Sequence, residues 1–266
     1  IQPLQQAEHT SHTSHHDSYH AHKFYQYIQA RPRSIFERIS DRIPDYRCLM
    51  TFGTFTSQMT FFDIFLGIVP SSPGISHENR QNEKRQNILS AIHISSTAAN
   101  SAELFDKYIK EQFIINSKGD RIEGKAFDVN IEKQYNLPVE KRELPVFVAN
   151  VDGATKYILP IYGAGLWGPI WGYISLDDNK DTVYGTFFDH QGETPGLGAE
   201  ITTPEFNKEF RNKQIFSGNQ LVGILVVKGG NASGANEVDA ISGGTITSKG
   251  VETMIKNYLT YYEPFL

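Results

Sequence analysis

Cysteine is nearly absent: Cys48 is the one thiol among 266 residues. An internal disulfide is therefore excluded, and so is a metal site of the CxxC type. The lone thiol leaves the compartment open, because a secreted chain can also do without bridges. An excess of positive charge is missing too. Lys and Arg number 25 against 30 Asp and Glu, a net charge of −5, so no basic field draws nucleic acid, which is excluded as a partner. The Walker pattern GxxxxGK[ST] does not occur. No stretch near Ile1 reads as a cleavable signal peptide, no internal repeat is evident, and no nucleophile–base pair recommends a hydrolase.

A clean hydrophobic run is also lacking. The nearest is Met50–Val69, whose only formal charge is Asp63. A bilayer span needs roughly 20 apolar residues. Gln58, Asp63 and five Thr or Ser residues dilute this one, and a central Asp costs about 2.5–3.5 kcal/mol on insertion scales. The segment reads either as a degenerate membrane anchor or as a soluble amphipathic piece.

Residues 1–22 hold six of the nine histidines and almost no aliphatic side chains. With no carboxylate or cysteine framework to fix a geometry, they read as a solvated tail rather than a metal tract. Phe36, Ile39 and Ile43 fall at helical spacing within an otherwise irregular N-terminal region, 1–49, expected to be poorly ordered. After the linker 71–76, the chain from 77 to 266 reads as one domain. Helices are expected over 77–92 and 101–115, strands over 144–151, 156–163, 170–177, 182–189 and 220–229. "TTPEFNKEFRN" reads as a helix capped by Thr203 with Pro204 in its first turn. The last helix is expected over Gly250–Tyr261, with Thr247 or Ser248 as its N-cap. The fold class is α+β, an antiparallel sheet with flanking helices.

Three segments carry more glycine than turns need. "YGAGLWGPIWGY", Tyr162–Tyr173, has four glycines and both tryptophans. Glycine allows close backbone approach and tryptophan offers flat apolar surface, which suits a planar ligand as well as it suits a plain strand–turn–strand. In "ETPGLG", Glu193–Gly198, Pro195 fixes φ while Gly196 and Gly198 free it. Such a loop can aim backbone N–H groups and the Thr194 hydroxyl at a heterocycle, or simply turn. In "DAISGGTITSKG", Asp239–Gly250, Gly243 and Gly244 strip side chains from around Thr245, so that a bulky reagent or a phosphate can reach its hydroxyl. The helix that follows can add free amides and a positive dipole end.

Together these segments carry a resemblance. Asp239-x-x-Ser242-Gly243-Gly244-Thr245 resembles the flavinylation motif D-x-x-[ST]-G-A-T of FMN-binding domains. "GETPGLG", "GLWGPIWGY" and "NEKRQNIL" resemble further segments of one branch of that family, the C subunits of sodium-translocating NADH:quinone reductases. The match runs over some 190 residues, from about Asn79 to Leu266. The G subunits of Rnf-type ferredoxin:NAD oxidoreductases share the FMN domain and are the alternative; a noncovalent binding module for another planar ligand is a second one. Gly244 stands where the family has Ala, a change that keeps Thr245 accessible.

The resemblance implies an electron-transfer subunit with FMN joined through its phosphate to Thr245 by a flavin transferase. Ser242, Gly243, Gly244 and Thr247 would surround the attachment point. Glu193, Thr194, Gly196, Leu197 and Gly198, with Leu166 and Trp167, would hold the isoalloxazine. The partners would be the other subunits of the complex and the membrane. The family has a single anchor where Met50–Val69 lies, in the bacterial inner membrane, with the FMN domain on the periplasmic side. Arg31, Arg33, Arg38, Arg42 and Arg47 ahead of Met50, against Arg80, Lys84 and Arg85 after Val69, give the same orientation by the positive-inside rule.

Overall fold

The computed structural model describes residues 77–266. The irregular region 1–49, the segment Met50–Val69 and the linker 71–76 lie outside the described residues. No helix among the described residues is long and apolar enough to cross a membrane.

The chain opens with helix α1 (His77–Ser90), which buries Ile88 and Leu89 at its end. Helix α2 (Ser101–Tyr108) follows and buries Phe105. Here the expected helix over 101–115 is corrected: it stops at Tyr108, and Ile109–Ile115 is strand β1. The misleading signal is an apolar run that fits both periods. Phe113 and Ile115 enter the core on one face of the sheet and Ile114 the core on the other. A strand buried on both faces loses its alternation and looks helical over a short window. Pairing of Ile109–Ile115 with Ala149–Leu144 then decides the outcome.

Strands β2 (Arg121–Ile122), β3 (Leu144–Val151), β4 (Ala154–Ala164), β5 (Pro169–Leu176) and β6 (Val183–His190) complete one sheet with order β2-β1-β3-β4-β5-β6, antiparallel throughout. The expected strands at 144–151, 156–163, 170–177 and 182–189 are all present. A short helix α3 (Ile131–Tyr135) precedes β3, and α4 (Pro204–Glu209) follows β6. Thr203 caps α4 as expected, its hydroxyl accepting the Phe206 amide at 3.4 Å with Pro204 at the first position. The single strand expected over 220–229 is corrected to two. Gly223, at φ 70°, breaks the run. Gln220–Leu221 (β8) pairs with Phe216–Ser217 (β7), while Leu225–Val227 (β9) runs parallel to Glu237–Asp239 (β10).

Helix α5 (Thr245–Tyr262) covers one face of the sheet with Val251, Met254, Ile255, Tyr258, Leu259 and Tyr262. Helices α1 and α2 cover the other through Ile88, Leu89 and Phe105, joined by Ile92 from the turn after α1. α5 seats closely at its start: a Cβ on Gly250 would stand 2.5 Å from the Ala164 carbonyl oxygen. That contact fixes the second turn of α5 against the end of β4, next to the β4–β5 hairpin. The site is built there.

A cleft at the start of the last helix

The expected start of the last helix at Gly250 is corrected to Thr245, with Gly244 at the N-cap and no side-chain cap. Thr247 and Ser248 are therefore not caps; both lie inside the first turn and are buried. Their hydroxyls are taken. Ser248 Oγ donates to the Gly244 carbonyl at 2.9 Å and accepts the Ile241 amide at 3.1 Å. Thr247 Oγ1 donates to Glu193 Oε2 at 2.6 Å. Thr245, half-buried, has a hydroxyl with no partner among the described residues. The amides of Thr245, Ile246 and Thr247 precede the first i→i−4 bond, Ser248 N–H to Gly244 O, and carry the positive end of the helix dipole.

Gly243 does something other than clear a path to Thr245. At φ 74° it turns the chain into the helix, and a Cβ there would meet Leu197 Cδ2 at 2.5 Å. The glycine lets the 193–198 loop lie against the helix start. Within that loop the Leu197 and Ala199 amides both donate to the Thr194 carbonyl at 3.1 Å, and the Gly196 amide donates to Glu200 Oε1 at 3.0 Å. These donors serve the loop itself, so side chains rather than those amides face the cleft.

Glu193 joins the pieces. It is 5% exposed, and its Oε1 accepts the Trp167 amide at 2.8 Å while Oε2 accepts the Thr247 hydroxyl. The carboxylate so links the β4–β5 hairpin, its own loop and α5. Gly165 and Gly198 leave it room; a Cβ on either would stand 2.5 Å from one of its oxygens. Residues 163–168, "GAGLWG", spell GxGxxG after a strand, but they close a hairpin into β5 and do not open a helix. The dinucleotide fingerprint needs that helix.

One cleft of about 380 Å³ results. It gathers Leu166 and Trp167 from the hairpin, Glu193, Thr194, Leu197 and Gly198 from the loop, and Gly243, Gly244, Thr245 and Thr247 from the helix start. Ser242 and Gly196 are not among its walls; both are exposed, Gly196 on a side of the loop that faces open space. Ile246 lines the cleft and has no counterpart among the residues expected from the sequence. Its signal is an aliphatic residue between two threonines on a polar turn. Leu166, Trp167, Leu197 and Ile246 are 46, 66, 42 and 61% exposed, four of the seven large hydrophobics exposed among the described residues. Apolar surface gathered in this way marks a binding face.

The two tryptophans part company. Trp171 lines a second cavity, also about 380 Å³, with Lys84, Tyr162 and Tyr173. Lys84 there donates to the Phe127 and Val129 carbonyls at 2.6 and 3.0 Å, and burial lowers its pKa to about 8. Burial pushes Tyr162 up to about 12. Size does not separate the two cavities, but chemistry does: only the first combines an open helix end, a free hydroxyl and an exposed apolar wall.

Comparison with known proteins gives the chain a family. The FMN-binding domain family model matches residues 165–260, the span that contains the cleft. The C subunit of the Na(+)-translocating NADH-quinone reductase of Haemophilus ducreyi is 31% identical over 194 residues, which cover 66% of this chain and 76% of that one. Its counterpart from Chlamydia muridarum is 42% identical over 125 residues, 41% of this chain and 39% of its own. Among solved structures, the C subunit from Parabacteroides distasonis superposes with a TM-score of 0.67 at 48% identity, covering 71% of this chain and 93% of that one. The C subunit of Shewanella oneidensis gives 0.62 at 25% identity, with 70 and 95% covered. The chain belongs to the family of C subunits of Na(+)-translocating NADH-quinone reductases.

Proposed function

We propose that this chain is the electron-transfer C subunit of a sodium-translocating NADH:quinone reductase, with FMN held as a phosphoester on Thr245. The observation that carries the attachment point is the state of the hydroxyls in the first turn of α5. Thr247 and Ser248 are buried and hydrogen-bonded, whereas Thr245 presents an unpartnered hydroxyl to the cleft. The cleft fits the cofactor. The first-turn amides of α5 suit a phosphate, and Leu166, Trp167, Leu197 and Ile246 offer apolar cover for a planar ring. FMN would supply the redox chemistry; the chain binds, orients and excludes water, and no acid–base step is asked of it. An ester suits a carrier that must not lose its cofactor between electron transfers.

The other subunits of the complex and a flavin transferase are the partners this reading requires. A membrane anchor at Met50–Val69 and a periplasmic cleft belong to the same proposal, supported by the arginine bias ahead of Met50. A reporter active only in the cytoplasm, fused after Leu266, should then be silent in intact cells. An active reporter on membrane-bound protein would reverse the orientation.

Mass spectrometry tests the attachment. Protein made with its flavin transferase should gain one FMN phosphoryl mass, located on Thr245 by peptide mapping, and Thr245→Ala should gain none. Modification of Thr247 or Ser242 instead would overturn the assignment. Flavin released on denaturation would favour a noncovalent site.

A further inference from the structure

Glu193 takes no part in attachment, yet it is the most constrained polar group of the cleft. Oε1 accepts the Trp167 amide and Oε2 meets the Thr247 hydroxyl, a frame that suits an ionised carboxylate. Its own amide donates to His190 Nδ1 at 3.2 Å. The ion pairs found among the described residues are Arg121–Glu111, Lys156–Asp177 and Lys249–Glu252, and none involves Glu193. At 5% exposure this is a desolvated charge without a counter-ion. Such a charge is costly to keep, and a neutral amide could make the same frame.

We propose that Glu193 is a positioning residue that sets the redox poise of the cleft through its charge. The inference rests on the reading of the cleft as a flavin site. A fixed negative charge opposes the gain of an electron by a neighbouring group, and it acts strongly where solvent is excluded. The hydrogen bonds from Thr247 and Trp167 hold the carboxylate in place without neutralising it. They also tie its position to the helix that bears Thr245 and to the hairpin that bears Leu166 and Trp167. The carboxylate thus makes its occupant harder to reduce.

The test separates charge from framework. In Glu193→Gln the amide oxygen can accept from Trp167 while the amide nitrogen donates to Thr247 Oγ1, whose hydroxyl reverses its role. The bonds persist and the charge is gone. Glu193→Asp keeps the charge at the expense of the fit. Wild type and both variants would be flavinylated, checked for covalent FMN by mass, and titrated in a spectroelectrochemical cell, with the electrode as electron source. The Gln variant should be about tenfold easier to reduce, which is about 59 mV for one electron, with Asp close to wild type. An unchanged potential in a flavinylated Gln variant would reduce Glu193 to a structural clip, and so would an equal shift in Asp. Should Gln not fold, the ¹³C carboxyl shift of Glu193 in the wild-type apoprotein decides: the ionised value at pH 7 sustains the inference, and the protonated value ends it. A wild type that gains no FMN mass would instead sink the flavin reading, which is a separate result.

Discussion

Two tyrosines of one helix illustrate how far a single atom can reverse a prediction. Tyr258 and Tyr262 are both fully buried on α5. Tyr262 donates its hydroxyl to the Pro145 carbonyl at 2.8 Å, whereas the Tyr258 hydroxyl has no partner among the described residues. Tyr262→Phe should destabilise by about 1 kcal/mol, because a bond is lost and a carbonyl is left buried. Tyr258→Phe should be neutral or stabilising, since it removes a buried orphan. Urea melts of the two variants should therefore fall on opposite sides of wild type or nearly so; equal losses would show that Tyr258 does have a partner. Thr247 belongs to the same scale. Thr247→Val strips one bond from the buried Glu193 and should cost about 1–3 kcal/mol, a loss that Thr247→Ser recovers.

At the scale of elements, α5 reverses a general rule. Gly to Ala inside a helix ordinarily gains about 1 kcal/mol. At Gly250 the new methyl would meet the Ala164 carbonyl oxygen at 2.5 Å, and backbone cannot swing away. Gly250→Ala should cost about 1–3 kcal/mol instead and should loosen the cleft, with a measurable rise in Trp167 solvent quenching. A variant as stable as wild type would show that α5 can slide. Legibility in the sequence follows the same physics. Strands β3 to β6 are readable because their β-branched runs end in Gly, Asp or Pro. Strand β1 is not, since Phe113, Ile114 and Ile115 serve two cores at once and hide the period of two. Thr245, Thr194 and Trp167 are readable from motif chemistry. The partnership of Glu193 with Thr247 is not, because 54 residues of sequence separate them and only the turn at Gly243 brings them together.

At the scale of the whole molecule, stability should be bounded by opposite proton linkages on its acid and alkaline sides. On the acid side stands His93, whose Nε2 bonds the Tyr184 carbonyl at 2.9 Å and whose Nδ1 meets Arg211 Nη2 at 3.0 Å. Burial, and secondarily Arg211, holds its pKa below the ordinary value of 6.5. The unfolded chain therefore takes up this proton first, so the contribution is complete above pH 6.5 and is lost as pH falls below it. On the alkaline side burial raises Tyr162 to about 12 and lifts Tyr173, Tyr258 and Tyr262 as well. Here the unfolded chain loses protons first, from about pH 10, and stability falls above that. Lys84, lowered by burial to about 8, acts in the other sense: between about 8 and 10.5 the folded state is neutral while the unfolded state stays charged, so stability rises with pH across that window. Thermal melts from about pH 5 to 11 should show both limbs, with His93→Gln flattening the first. A flat acid limb in the wild type would remove His93 from this account.

Thr245 is the first residue of a helix that lies along the sheet to Tyr262, where the Tyr262 hydroxyl holds Pro145. From Thr245 to that contact the backbone is one continuous helix. A cofactor held at Thr245, as proposed above, would be mounted on the domain 77–266 itself rather than on a loop, so that any donor or acceptor must come to it. Time-resolved anisotropy of a flavin esterified there should decay mainly with the tumbling of the domain that bears α5; a dominant faster component would show that the ribityl phosphate, not the helix, sets its motion.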